Sequence, residues 1–450
     1  MKASLLTPLA GSIGSLLLVA ALLPLTPLAT SHAAEPILKR QRPIQNQEEP
    51  KAPARSPEET LAKGLEYLLQ QQHADGGWGQ GGGWRQGGRT GGRVEGANVE
   101  DPSDLGNTAV SLVTLLRAGQ TPIAGEHHEA AAKAFDYICR QVEAADQDSL
   151  YVTSVRDTQL QVKIGTYADT FLAGWVLSEL KDKTPDEASE QRRAAALAKV
   201  VAKIERNQKD DGSFANNNGW AAVLSQGLCS KALNLAARSG TAVSKSALDK
   251  DQKQNVAGLD VAQGSFSAPA AAAPEPSSAG VSLYREASKL GGLRDRAKSD
   301  QARKTEAQKK VADASTSTEE KRRAESELQE IANDEKAAQA ASDAVSSKLS
   351  DRSYTAGFGN NGGEEFLSYM NLTESMHERG GQAWTDWKQQ MNRTVCGAQN
   401  GDGSWAGQHC ITGHTFCTAA ALLTLLVEQN PDAASVGSIN PAAQPVAVSK

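Results

Sequence analysis

The sequence has little of what would mark its class at once. Aromatic residues make up only 5 % of the 450, and cysteines number five. Positive charge is not in excess, since 47 Lys and Arg stand against 53 Asp and Glu. A formal net charge of −6 gives no electrostatic reason to expect nucleic acid as a partner. At 39 % hydrophobic residues the chain is too polar for a polytopic membrane protein and too apolar for full disorder. The Gly-rich basic stretch Gly76 to Gly92, with Trp78, Trp84, Arg85, Arg89 and then Arg93, lacks the Lys-Ser/Thr of a phosphate loop. Its expected role is a surface crossing.

Targeting and linker signals divide what is there. Lys2 precedes the apolar run Leu16 to Leu23, and small residues end at Ala33. That run is too short to span a bilayer, and Pro24 and Pro27 argue against a membrane helix. Residues 1–33 are therefore expected to be a signal peptide cleaved after Ala33, with export to a periplasmic or extracellular compartment. There the cysteines 139, 229, 396, 410 and 417 meet oxidising conditions, and their odd number leaves one over. Residues 34–57 read as a flexible leader and 431–450 as a disordered tail. Residues 240–282, Pro/Ala/Ser-rich in their second half, read as a disordered linker. Residues 283–350 are dense in Lys, Arg, Glu, Asp and Ala. They are expected to form a charged helical insertion with a solvated surface, folded as a hairpin about the capping box Ser317-Thr318-Glu319-Glu320.

The remaining segments, 58–239 and 351–430, carry a repeat. Gln72 to Trp78, Gln208 to Phe214 and Gln399 to Trp405 all read Gln-x-x-Asp-Gly-x-aromatic. Each follows an amphipathic helix and precedes a more apolar one. Asp-Gly supplies a turn. The Gln is expected to satisfy open carbonyls at the preceding helix end, with the aromatic ring over it. Three copies at equivalent helix ends make a repeat rather than a coincidence. The preceding helices (58–71, 127–145, 186–207, 382–398) have polar faces. The following ones (104–118, 166–181, 218–237, 361–376, 412–428) are apolar or small nearly all round, which requires burial on both sides. Outer amphipathic helices alternating with inner buried ones predict an all-α fold, an α/α toroid of about five hairpins.

The Gln-x-x-Asp-Gly-x-Trp repeats resemble those of the prenyltransferase and squalene-oxidase repeat family, the toroid superfamily of terpenoid cyclases and protein prenyltransferase β-subunits. The resemblance implies a toroid and, residue by residue, only part of the family's chemistry. The proton-donating Asp-x-Asp-Asp-Thr-Ala motif is matched by Asp104-Leu105-Gly106-Asn107-Thr108-Ala109. Asp104, Thr108 and Ala109 agree, but Gly106 stands where the donor acid belongs. Asp104 is then expected to cap the following helix. No Asp-Asp-x-x-Asp run is present to hold a magnesium diphosphate. In the last repeat, His414-Thr415 resembles the family's His-Thr and implies His414 as one zinc ligand. The matching Asp-x-Cys pair is absent, and Asp169 is an acid at another inner-helix start without its Cys.

Local spacing adds a separate signal. His409, Cys410, His414 and Cys417 fall within nine residues, with His414 and Cys417 three apart on one helix face. A zinc site, a Cys410–Cys417 disulfide and plain packing all fit this spacing. At least three of the four side chains are expected to converge, His414 and Cys417 facing the centre near Asp169. Glu364-Glu365 reads as ordinary first-turn acids, and Trp384 and Trp387 as core. The expected function is an exported binding or scaffold toroid, with an apolar small molecule or extended peptide in its central cavity and a protein partner at the helical insertion. The alternative is a terpenoid cyclase- or prenyltransferase-like enzyme with a metal or polar site at the toroid mouth, using Asp169, His414 and Cys417, with Asp104 and Asp169 as catalytic candidates and zinc as the candidate metal.

Overall fold

The computed structural model describes residues 55–82, 100–267, 281–355, 362–408 and 410–429. The expected signal peptide, nearly all of the leader, the Gly-rich loop from residue 83 to 99, the tail and His409 lie outside the described residues. The described chain is all-α apart from one two-residue β-hairpin. In order it forms α1 (Pro57–Gln70), α2 (Leu105–Arg117), α3 (His128–Ala144), α4 (Gln159–Lys163), α5 (Ala168–Glu179), α6 (Glu187–Asn207), α7 (Ala222–Arg238) and α8 (Lys245–Val256). Strands β1 (Leu259–Asp260) and β2 (Ser265–Phe266) follow. Then come α9 (Ser282–Ala312), α10 (Thr318–Ser346), α11 (Arg352–Thr355), α12 (Glu364–Arg379), α13 (Gly381–Gly397) and α14 (His414–Leu425).

Two kinds of helix alternate, as their residues dictate. Every residue of α2 and α5 is buried, as are nearly all those of α7, α12 and α14. α1, α3, α6 and α13 bury one face only, in α1 through Leu61, Leu65 and Leu68. The buried helices pack in succession: α2 on α5, α5 on α7, α7 on α9, α9 on α12, α12 on α14, and α14 on α2. The half-exposed helices lie behind them, α1 against α14, α3 against α2, α6 against α5, α8 against α7 and α9, α10 against α9, and α13 against α12.

The charged segment departs from expectation. The Ser317 capping box is formed, and α9 and α10 do pair as a hairpin. The first half of α9, however, is buried on all sides from Leu283 to Arg296, packed between α7 and α12. Its charges are tolerable there because they are paired. Arg296 meets Asp300 at 2.9 Å and Asp249 at 3.2 Å, and Glu286 accepts Lys348 at 2.8 Å. Hydropathy counts such residues as solvated, whereas the ion pairs let them replace leucines in a core position. Residues 240–267 also depart from a linker. Ser244 caps α8 by accepting from Ala247 N, and α8 buries Ala247, Leu248 and Asp251.

The three repeat turns superpose in their bonding. His73 N, Lys209 N and Asn400 N donate to the carbonyls of Gly77, Ser213 and Ser404 at 2.9, 2.9 and 2.8 Å. Asp75, Asp211 and Asp402 each accept the amide two residues on. Gly76, Gly212 and Gly403 have φ of +91°, +84° and +91°. A Cβ at each would lie within 2.5 Å of a carbonyl oxygen of Lys133 in α3, Lys250 in α8 or Lys63 in α1. Only glycine fits, and each turn thereby docks on another half-exposed helix.

The Gln and Trp exchange their expected roles. Trp78 Nε1 donates to Leu68 O at 2.7 Å and Trp405 Nε1 to Val395 O at 2.8 Å, so the indole closes the preceding helix end. Gln72 and Gln399 instead bridge their own turn to Ala130 O and Thr60 O, on or beside the docked helix. Phe214 has no N–H to offer and packs on Phe171, with centroids 5.2 Å apart. Since Trp405 is fully buried, Trp405→Ala is expected to cost about 3–5 kcal/mol in urea denaturation. A cost under about 1 kcal/mol would remove this turn from the core.

Candidate functional site

The starts of α2 and α5 bring two carboxyl groups together. Asp104 caps α2 as expected, its Oδ1 accepting Asn107 N and its Oδ2 accepting Asn107 Nδ2, both at 2.8 Å. Asp169 stands in the first turn of α5, where Gln161 Nε2 of α4 donates to its Oδ2 at 2.5 Å. Its Oδ1 has no hydrogen-bond partner among the described residues. Gly106 lies between the two acids. A Cβ there would come 2.4 Å from Asp169 Oδ1, 2.8 Å from Leu160 Cδ1 and 3.6 Å from Asp104 Oδ1. The place where the resembled motif has its donor acid is therefore filled from a neighbouring helix.

Both acids are buried. Desolvation, then the charge of Asp169, pushes the Asp104 carboxyl up to about 8, against its hydrogen bonds to Asn107. Desolvation pushes Asp169 up to about 6, against Gln161 and Arg156. The pair thus holds protons that two solvated aspartates release near 4. The folded state binds more protons than the unfolded one between about pH 4 and about 8, so this contribution to stability is lost as pH rises through that window. In Asp104→Asn, the unpartnered Asn107 Oδ1 can accept the new amide. Thermal melting should show the variant gaining on the wild type from pH 5 to pH 8. A difference independent of pH would contradict the shared burial.

A second group of acids opens α12. Glu364 and Glu365, expected as ordinary first-turn acids, are fully buried. Glu364 Oε2 accepts Ile411 N at 3.4 Å, and desolvation pushes its carboxyl up to about 7 despite backbone bonds, Cys410 and Lys163. Cys410 holds a left-handed backbone, φ +62°, and burial beside Glu364 pushes its thiol up to about 11. Such a thiol is a poor nucleophile.

The His/Cys cluster does not assemble among the described residues. His414 Nδ1 pairs with Ser404 Oγ at 3.0 Å, and its ring lies 6.1 Å from that of Tyr67 in α1. The expectation that it faces Asp169 is corrected, because at the first turn of α14 the ring turns toward the neighbouring half-exposed helix. Cys417 lies fully buried with Sγ 3.7 Å from Ile411 O, and desolvation raises its thiol well above the ordinary range. All five cysteines are free, so the Cys410–Cys417 disulfide is not formed. No group of three His, Cys, Asp or Glu among the described residues is placed to hold a metal ion.

Sequence reasoning missed a buried cluster of six charges that joins five of the buried helices. Arg117 of α2 donates to Glu179 of α5 and Glu374 of α12, each at 2.8 Å. Glu374 also takes Lys231 of α7 at 2.9 Å and Arg294 of α9 at 2.6 Å. Asp295 pairs with Arg294 at 2.8 Å and with Lys231 at 3.3 Å. Trp175 lies under both Arg117 and Lys231, each 5.3 Å from a ring centroid. Three cations and three acids balance. Burial pushes Glu374 up, but Lys231, Arg294 and Arg117 outweigh it and hold the carboxylate well below its usual range. The available signal was a lone charge closing an apolar run, as in Leu115-Leu116-Arg117 and Leu177-Ser178-Glu179. Arg117→Met leaves Glu179 and Glu374 short of a cation and should cost about 3–5 kcal/mol in urea denaturation. A cost under about 1 kcal/mol would show the cluster to be solvated.

The described chain also carries a surface cleft of about 660 Å³ between α9, α10, α12 and α13, lined by Leu290, Arg294, Glu335, Glu378 and Arg379 among others. Comparison with known proteins adds no relative: no family model matches the sequence, and no curated protein matches it.

Proposed function

We propose that the buried and half-exposed helices form a closed α/α toroid of six hairpins, with α9 as the sixth inner helix, resembling the prenyltransferase and squalene-oxidase repeat family. The succession of contacts that returns from α14 to α2 supports this reading. So does the last repeat turn, whose Gly403 docks on α1. We propose further that the chain is an exported binding or scaffold toroid, not a cyclase or prenyl transferase.

The observation that carries this reading is the buried six-charge cluster joining five inner helices. Charges paired with one another across the axis disfavour an apolar guest at that level. They hold the ring at a fixed diameter, which suits a frame for other parts. Recognition then belongs to the opposite end, where the inner helices start, and to the projecting ends of α9 and α10 as the surface for a protein partner.

The enzyme reading draws on the Asp104–Asp169 pair, which retains protons a cyclase would need. One experiment separates the two. The mature chain is incubated with squalene, and separately with a prenyl diphosphate and a cysteine-bearing peptide in the presence of zinc. The scaffold reading predicts no cyclised or prenylated product. A product that disappears in Asp104→Asn would establish the enzyme and overturn the scaffold.

A further inference from the structure

We infer that α4 is a pH-sensitive cover over the starts of α2, α5, α7 and α14, pinned by its contacts to all four and loosened when the buried Asp104–Asp169 pair beneath it ionises. The inference rests on the geometry of α4 and stands whether the ring is a scaffold or an enzyme.

α4 is only five residues long and sits between α3 and α5, too short to be stable by its own hydrogen bonds. Its place is fixed from outside. Gln159 N donates to Gln80 Oε1 at 2.9 Å, and Gln159 Oε1 accepts Thr412 N and Gly413 N at 3.1 and 3.2 Å, ahead of α14. Lys163 O accepts Ala221 N at 2.8 Å, ahead of α7. Leu160 is buried against Gly106 of α2, and Gln161 donates to Asp169 of α5. One helical turn thus touches the starts of four helices.

Among the described residues, few charged or titratable groups surround it. From the α2 side come Asp104 and Asp101, the latter already accepting the backbone amides of Gln80, Gly81 and Gly82. α3 contributes Tyr137, whose hydroxyl is bonded to Ser103 O. The preceding loop contributes Arg156, bonded to Thr153 O and Val155 O. α5 contributes Asp169, α4 itself Lys163, and beyond it stand Glu364 and Cys410. Among the described residues Arg156 is the cation that acts on Asp169, and none of the leading effects on Asp104 comes from a cation. Ionisation therefore places two carboxylates beside Gly106 and beneath Leu160, with Asp169 Oδ1 lacking a donor among the described residues. Hydration is the available relief, and it requires α4 to lift. Acid pH closes the cover and alkaline pH opens it.

Hydrogen exchange on the full chain tests this, with rates corrected for the intrinsic pH dependence. The amides of Val162, Ile164 and Gly165 are bonded to Thr158 O and Leu160 O and report on α4. Their protection should fall at least about tenfold between pH 5.5 and pH 8.5, while that of Val113 to Leu116 in α2 stays constant. Asp169→Asn should flatten the dependence, and Asp104→Asn provides a second variant if the first does not fold. Equal protection of α4 at both pH values in the wild type would overturn the inference. So would a dependence that survives in a folded variant. Loss of protection in α2 together with α4 would mean global unfolding, and would overturn it equally.

Discussion

Three cations and three carboxylates, buried together, set the conditions for the rest of this structure. Arg117, Glu179, Lys231, Arg294, Asp295 and Glu374 come from five different helices, α2, α5, α7, α9 and α12. Burying any one of them alone would be prohibitive, and burying all six is tolerable only because each finds opposite charge at hydrogen-bond distance. The cluster adds little net stability over a hydrophobic filling of the same volume. What it adds is selectivity. Apolar helices slide and rotate against each other at small cost, whereas a helix displaced by one turn here would strand a charge.

The repeat turns do complementary work at the periphery. Each Asp-Gly turn closes the end of its own helix and presses a Cβ-free backbone against another one. The indole, with one N–H at the far end of a rigid ring, reaches back ten residues to a helix-terminal carbonyl. A glutamine, with two amide hydrogens, ties two separate carbonyls and so joins the turn to its neighbour. The division of labour follows from donor count and reach.

The all-α class, the alternation of helix types and most helix limits were legible because they depend on periodicity and on Asp-Gly turns. The capping of α2 by Asp104 was legible for the same reason, being a matter of local chain geometry. What was not legible depended on pairing across long separations. α9 looked like a solvated arm because Arg294, Asp295 and Arg296 count as polar whether or not Glu374, Lys231 or Asp300 waits for them. Glu364 and Glu365 looked like ordinary helix-start acids, since nothing local announces that the chain will bury them. The His414–Cys417 spacing suggested convergence because it considered one helix face, while the ring's direction was decided by Ser404 and Tyr67. Gly106 was recognised as a missing acid, but not that Asp169 would occupy the space beside it.

The account turns on the charged segment being an integral buried helix and not an appendage. Replacing residues 282–347 by a short Gly/Ser linker puts that to the sharpest test. An appendage can be excised with the rest of the chain still melting cooperatively at close to the temperature of the full protein. A buried helix takes with it Arg294 and Asp295, exposes the faces of α7 and α12, and leaves Lys231 and Glu374 underpaired. The predicted result is loss of the near-ultraviolet signal from the buried tryptophans and of any cooperative thermal transition. A cooperative transition retained within a few degrees of the full chain would contradict the account.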